Sequence, residues 1–193
     1  MTLANRLTLA RLGLTALFMV CLFARQLIYS YLALGVFILA SVTDWLDGHI
    51  ARTRNQVTNF GKLMDPIADK ILVLSAFVAF VELDLIPAWM VVVILARELL
   101  VTGVRLVASS TGIVLAAADA GKHKLLSQLA AIYTTLIAMI WRHTAQQRGA
   151  CPAGWDAPLM AAVATVMGVA VLFSLISGLA FLWQHRALLT GDT

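Results

Sequence analysis

Six long apolar stretches are the feature of this sequence that most restricts its fold. They lie at about 9–25, 31–53, 58–82, 86–107, 123–143 and 157–184. A helix of about 20 apolar residues crosses the hydrocarbon core of a bilayer, which is about 30 Å thick. The stretches do not alternate polar and apolar residues at period two, as lipid-facing strands would. We therefore predict an all-α polytopic membrane protein with six transmembrane helices.

The composition excludes the main soluble classes. Of the 193 residues, 61% are apolar and 12% are charged, whereas a soluble domain has roughly 25% charged residues. So few polar side chains could not cover a water-exposed surface, which argues against a soluble enzyme, a nucleic-acid-binding domain or a disordered segment. Two cysteines are too few for a disulfide framework, so we expect Cys21 and Cys151 to be free thiols.

The N-terminal residues are expected to form a short interfacial helix that leads into the first span. No small-x-small cleavage site follows the first apolar stretch, so we predict one integral membrane domain over residues 1–193. The apolar stretch at 108–120 is too short to cross a bilayer and is expected to be a loop or an interfacial segment. The apolar side of the N-terminal helix is predicted to contain Leu3, Leu7, Ala10 and Leu14. The polar positions off this stripe are Asn5, Arg6, Thr8 and Arg11.

The basic residues predict how the chain is oriented in the membrane. Six spans place both termini on one side, and that side would carry eleven Lys and Arg residues against three on the other. Basic loops stay in the cytoplasm, so we expect both termini and the 52–62 loop to face the cytosol from the cytoplasmic (inner) membrane. The net charge of +4 is thus interpreted as a topology signal rather than as evidence for nucleic-acid binding. No internal repeat supports an inverted-repeat transporter.

Four aspartates lie within 26 positions, at the end of the second predicted span and the start of the third. A carboxylate in hydrocarbon is costly unless it is compensated. At about 100° per residue, the first two aspartates fall within about 60° on one helix and the last two within about 40° on the next. The short connection makes these helices antiparallel neighbours, so the acidic faces can meet near the cytosolic surface. The four residues are Asp44, Asp47, Asp65 and Asp69.

Converging carboxylates predict a divalent metal site. They would repel one another unless a cation lay between them. Oxygen ligands without clustered His or Cys favour Mg²⁺ or Mn²⁺, and two ions suit displacement at a phosphoryl centre. Interhelical ion pairs with Arg52, Lys62 and Lys70 remain an alternative. Small residues on the same faces could admit a bulky ligand or could simply pack the helices; they are Gly48, Ala51 and Gly61.

These residues also carry a family resemblance. The run Asp44-Trp-Leu-Asp47-Gly48-His-Ile-Ala51-Arg52, then eight residues, then Gly61-Lys-Leu-Met-Asp65-Pro-Ile-Ala-Asp69, resembles the signature of the CDP-alcohol phosphotransferase family. The resemblance implies a six-helix membrane enzyme, typically a homodimer, with its site in a cavity that faces the cytosol. It also implies that the four aspartates hold two divalent cations, Mg²⁺ or Mn²⁺, on the pyrophosphate of a CDP-linked lipid, and that Asp69 is also the catalytic base. The implied CDP-lipid-binding residues are Gly48, Ala51, Arg52, Thr58 and Gly61, with Asn5 and Thr8 as weaker candidates.

Basic residues later in the chain predict a site for a phosphate on the acceptor. Arg97 lies inside an apolar span, where an arginine is costly unless it faces a polar cavity. Arginine gives a phosphate bidentate contacts. The alternatives are an internal pair of Arg97 with Glu98 or Glu82, and ordinary flanking charge for the lysines. The predicted acceptor-phosphate residues are Arg97, Arg105, Lys122 and Lys124.

Three segments resemble the phosphatidylglycerophosphate synthases within that family. They are 57–70, Ala96-Arg97-Glu98 and Gly121-Lys-His-Lys124. Members transfer phosphatidyl from CDP-diacylglycerol to sn-glycerol 3-phosphate. They usually have Thr where this chain has Leu125, and Ser127 follows two positions later. Other acceptors (inositol phosphate, serine or phosphatidylglycerol), a cation carrier and a structural membrane protein remain alternatives.

Overall fold

The computed structural model describes residues 3–54, 59–110, 120–148 and 156–186, and the side chains of 9–43, 70–108, 123–148 and 156–186. These residues are almost all helical, with described turns after Phe23 and after Glu82, and no strand occurs among them. The all-α prediction is therefore confirmed. The helices are α1 (Leu3–Phe23), α2 (Leu27–Arg54), α3 (Asn59–Glu82), α4 (Ala88–Ser110), α5 (Ala120–Gln147) and α6 (Asp156–Gln184).

Each helix corresponds to one predicted span, and the N-terminus is the main difference. The N-terminal helix predicted to lead into the first span is continuous with it, because α1 runs without a break from Leu3 to Phe23. No proline interrupts this segment, and extending an existing helix costs less than starting a second one. Arg11, predicted on the polar side of that helix, is buried because α1 packs against both α2 and α3.

The helix ends follow local sequence. Pro87 directly precedes α4, because its fixed φ and missing N–H suit the start of a helix. Pro158 lies in the first turn of α6, where proline is also tolerated. Asp156 begins that helix, and its negative charge complements the positive end of the helix dipole. The predicted connection at 108–120 lies mostly outside the described residues, although α4 extends to Ser110.

Aromatic packing holds α1, α2 and α5 together. Phe37 of α2 is fully buried, and its ring centroid lies 5.4 Å from that of Phe18 in α1 and 5.4 Å from that of Tyr133 in α5. Helices α1 and α5 each pack against both α2 and α3. Helix α4 bridges α3 and α6, and α6 packs along α5. Cys21 is a buried free thiol in this core, whereas Cys151 lies outside the described residues.

Helix α6 is apolar on both its buried and its exposed sides. Val163, Met167 and Phe181 are buried against the bundle. Leu172 and Leu179 are exposed by 59% and 65% on the other side. An exposed apolar face next to a buried one is typical of a helix that contacts lipid.

Two helices among the described residues are long and apolar enough to cross a membrane. They occupy His123–Gln147 in α5 and Asp156–Gln184 in α6. Shorter apolar helices cover Leu9–Phe23 and Leu27–Thr43. The all-helical fold with exposed apolar faces is therefore consistent with a membrane protein.

Candidate active site

The signature aspartates lie on two consecutive helices. Asp44 and Asp47 are in the second half of α2, and Asp65 and Asp69 are in the first half of α3. Because both segments are helical, the spacings of three and four residues keep each pair on one side of its helix. Only the helical backbone is described at these aspartates and at Gly48, Ala51, Arg52 and Gly61. Thr58 lies outside the described residues altogether. Their metal-binding and lipid-binding roles therefore stay predictions.

A buried glutamate on α4 contacts three basic side chains. Glu98 of α4 is 4% exposed. Its Oε2 lies 3.3 Å from Lys70 Nζ of α3, and its Oε1 lies 3.2 Å from Arg97 Nη1. Lys124 of α5 donates a hydrogen bond to the same Oε1. We call Lys70, Arg97, Glu98 and Lys124 the Glu98 cluster.

The environment of the Glu98 cluster explains why its charges are tolerated. A buried carboxylate without a partner would be strongly destabilising, and here three cations compensate it. Lys70 also donates hydrogen bonds to Thr102 Oγ1 and, at 3.5 Å, to the carbonyl of Glu98. Among the described side chains, three cations against one carboxylate leave an excess of two positive charges in the cluster, which suits a doubly charged anion such as a phosphate monoester.

Arg97 is fixed by α6 as well as by Glu98. Its Nη2 donates a hydrogen bond to Ser177 Oγ at 3.0 Å, and the Ser177 hydroxyl donates to the carbonyl of Ser174 at 3.1 Å. A Cβ placed on Gly178 would lie 2.7 Å from Arg97 Cγ. Only glycine at this position therefore lets the arginine lie against the backbone of α6.

Three polar groups on the same helices are buried without a hydrogen-bond partner among the described residues. They are Arg97 Nε, Gln128 Nε2 and Ser174 Oγ. Gln128 lies one turn after Lys124 on α5, and Ser174 lies one turn before Gly178 on α6. An unsatisfied buried polar group costs about 1–3 kcal/mol, so these groups are available to an oxygen-rich ligand.

The four residues predicted to bind the acceptor phosphate do not all meet. Arg97 and Lys124 come together at Glu98, so the internal pair considered as an alternative for Arg97 is present. Arg105 lies two turns further along α4, and its Cζ is 5.2 Å from the centroid of the Phe181 ring. The side chain of Lys122 lies outside the described ones. The phosphate-binding role of these residues stays a prediction.

Leu125 and Ser127 occupy the turn that follows Lys124. Leu125 is 48% exposed, and the Ser127 hydroxyl donates a hydrogen bond to the Lys124 carbonyl at 2.7 Å. The serine hydroxyl thus satisfies the backbone carbonyl of Lys124.

Glu98 and Lys70 are not among the predicted site residues. The sequence pattern predicts Lys70 only as a possible partner of the aspartates, and Glu98 only as a possible partner of Arg97. A usable signal was present, since an adjacent Arg and Glu inside an apolar span require compensation. That Lys70 and Lys124 are the partners of Glu98 depends on how α3, α4 and α5 pack together.

The chain matches one protein family over almost its full length. A profile of the family described as CDP-alcohol phosphatidyltransferase matches residues 1–188. The protein named CDP-diacylglycerol–glycerol-3-phosphate 3-phosphatidyltransferase from Bacillus subtilis is 46% identical over 147 residues, which cover 70% of this chain and 76% of the relative. A probable phosphatidylglycerophosphate synthase from Mycobacterium tuberculosis is 35% identical over 179 residues, covering 91% and 78% of the two chains.

One shorter match is to a relative whose name states a different activity. A cardiolipin synthase (CMP-forming) from Streptomyces coelicolor is 44% identical over 66 residues, which cover 34% of this chain and 31% of the relative. The two longer matches carry names with glycerol 3-phosphate or phosphatidylglycerophosphate in them. From the match over residues 1–188, this chain is a member of the CDP-alcohol phosphatidyltransferase family, a family of membrane-embedded enzymes.

Proposed function

We propose that this protein transfers the phosphatidyl group of CDP-diacylglycerol to sn-glycerol 3-phosphate, giving phosphatidylglycerophosphate and CMP. The observation that carries this proposal is the 46% identity to a Bacillus subtilis relative whose name states that reaction. The Glu98 cluster supports the acceptor assignment, because its excess positive charge suits a phosphate monoester better than a neutral alcohol.

The aspartates of α2 and α3 fit a divalent metal site. The family generally depends on divalent metal ions. The donor set consists of carboxylates spaced three and four residues apart on helical backbone, which suits a hard cation such as Mg²⁺ or Mn²⁺. Bound ions would neutralise charge on the diphosphate of the donor. The residues that would hold two such ions are Asp44, Asp47, Asp65 and Asp69.

The remaining groups supply proton transfer and binding. Asp69 takes the proton of the acceptor hydroxyl, whose oxygen then attacks the lipid-side phosphorus. A new P–O bond forms to the acceptor while the bond from that phosphorus to CMP breaks. The residues that line the CDP-lipid site are Gly48, Ala51, Arg52, Thr58 and Gly61. The residues that bind the acceptor phosphate are Arg97, Arg105, Lys122 and Lys124.

The proposal includes a membrane arrangement. The six helices are six transmembrane spans of a cytoplasmic (inner) membrane protein, with both termini and the active site on the cytosolic side. The excess of basic residues on that side supports this orientation. The family resemblance supports a homodimer.

A comparison of acceptors tests the function. Detergent-solubilised protein with Mg²⁺ or Mn²⁺ receives CDP-diacylglycerol labelled in the cytidine, and CMP release is measured with glycerol 3-phosphate, inositol phosphate, serine or phosphatidylglycerol. We expect release that depends on metal and on glycerol 3-phosphate. Faster release with another acceptor would contradict the acceptor assignment. Metal flux in liposomes without any CMP release would favour a cation carrier and overturn the proposal.

A further inference from the structure

We propose that Glu98 is a positioning residue for the acceptor phosphate, and that Lys70 is a further cation of that site. In this arrangement Glu98 sets the positions of Lys70, Arg97 and Lys124, and these three cations bind the phosphate. This inference rests on the proposed function, since it requires an acceptor that carries a phosphate.

The first support is that one rigid carboxylate joins three helices. Lys70 comes from α3, Arg97 and Glu98 come from α4, and Lys124 comes from α5. Lysine side chains are long and have many rotamers, so free lysines would not hold a fixed arrangement. Contact with a carboxylate that is only 4% exposed fixes where their ammonium groups lie.

The second support is charge. Without the Glu98 carboxylate, three cations would lie together in a largely apolar bundle and repel one another. Lysines respond by extending toward water, which would disperse the site. With the carboxylate present, the described side chains of the cluster keep two excess positive charges, which match a phosphate dianion.

The third support is that the cluster has unused hydrogen-bonding capacity beside it. Arg97 Nε is buried without a partner among the described residues. The side-chain amide nitrogen of Gln128, one turn from Lys124, is also buried without a partner among the described residues. A phosphate or the glycerol hydroxyls could accept hydrogen bonds from both groups.

Steady-state kinetics of Glu98→Gln test the proposal. The amide keeps the size of the side chain and removes its charge. We expect the KM for glycerol 3-phosphate to rise about tenfold or more, while the KM for CDP-diacylglycerol and the kcat at saturating acceptor change less than about threefold. A purely structural role would instead raise both KM values to a similar extent, whereas a lower Tm is expected in either case because the buried cations lose their carboxylate. Asp156→Asn is the matched control. Asp156 is an exposed carboxylate at the start of α6, far along that helix from Ser177, and its Oδ1 lies 3.9 Å from Arg142 Nε. This substitution should leave both KM values unchanged.

Two further variants keep the test decisive if Glu98→Gln does not fold. Lys70→Met removes one cation and should also raise the KM for glycerol 3-phosphate selectively. Glu98→Asp retains the charge and should recover part of the affinity that Glu98→Gln loses. In the double variant, Glu98→Gln with Lys70→Met, the effects should combine to less than the product of the single effects, because the two residues act through one contact.

The outcomes separate this inference from the proposed function. Wild-type protein that does not use glycerol 3-phosphate would overturn both. Wild-type turnover with glycerol 3-phosphate, together with an unchanged KM for it in Glu98→Gln or Lys70→Met, would overturn only the role of the Glu98 cluster. Equal increases in both KM values would do the same.

Discussion

The charged side chains of the Glu98 cluster are stable only as a set. Glu98 is buried, and the side chains of Arg97 and Lys124 are each 12% exposed. Removing one partner of a buried ion pair leaves an uncompensated charge, which destabilises a protein more than the pair itself stabilises it. The members of this cluster therefore depend on one another, and the loss of any one of them should destabilise the bundle.

Adding one methyl group at Gly178, beside Arg97, tests whether the position of the arginine matters for acceptor binding. Gly178→Ala would place Cβ 2.7 Å from Arg97 Cγ, an atom too near the backbone to move freely. We expect the arginine to shift and the KM for glycerol 3-phosphate to rise about threefold to tenfold. Gly168→Ala on the same helix meets nothing within 4 Å and is the control. Equal kinetics for both variants would show that the arginine does not need this close approach.

The proposed base gives a second residue-level prediction. Asp69→Asn cannot accept a proton, so CMP release should fall at least about a hundredfold, while helix content by circular dichroism stays the same. Asp84→Asn is the control, because Asp84 is exposed and has a φ of 54°, a conformation that asparagine also adopts. Activity that survives in Asp69→Asn would show that another group takes the proton.

At the level of helices, packing depends on a few aromatic contacts. Phe37 connects α2 to α1 and α5 through its contacts with Phe18 and Tyr133. In a lipid environment such contacts stabilise mainly by close packing, because lipid is as apolar as the protein core.

Removing the Phe37 ring should weaken this junction. Phe37→Ala would leave a cavity and lower the free energy of unfolding by about 3 kcal/mol or more, measured as a lower Tm in detergent. Leu39→Ala on the same helix is the control, since Leu39 is 56% exposed and should change the Tm little. Equal losses for the two variants would contradict the packing described for α2.

The arrangement of the whole molecule in the membrane can be tested with the two native cysteines. Cys21 is buried, and Cys151 follows α5 in a connection predicted to lie on the outer side. A maleimide that cannot cross membranes should therefore label intact cells at Cys151. A Thr193→Cys variant that also carries Cys151→Ser should be labelled only after the cells are opened. The reverse pattern would invert the proposed orientation and place the active site outside the cell.

The sequence alone predicted the six helices, because an apolar stretch of bilayer length has few alternatives to a helix. It also predicted the family, since the aspartates, glycines and their spacing lie in one short segment of the chain. The polar-side placement of Arg11 was wrong, because the packing of α1 against α2 and α3 does not follow from the local pattern of residues.

Only the tertiary structure decided which charges meet. Lys70 and Lys124 lie 28 and 26 positions from Glu98 along the chain, and Ser177 lies 80 positions from Arg97. Helical periodicity gives the side of a helix on which a residue lies, but not the rotation and height at which two helices pack. Those two quantities come from the fit of many side chains at once, and they place three cations around one buried carboxylate.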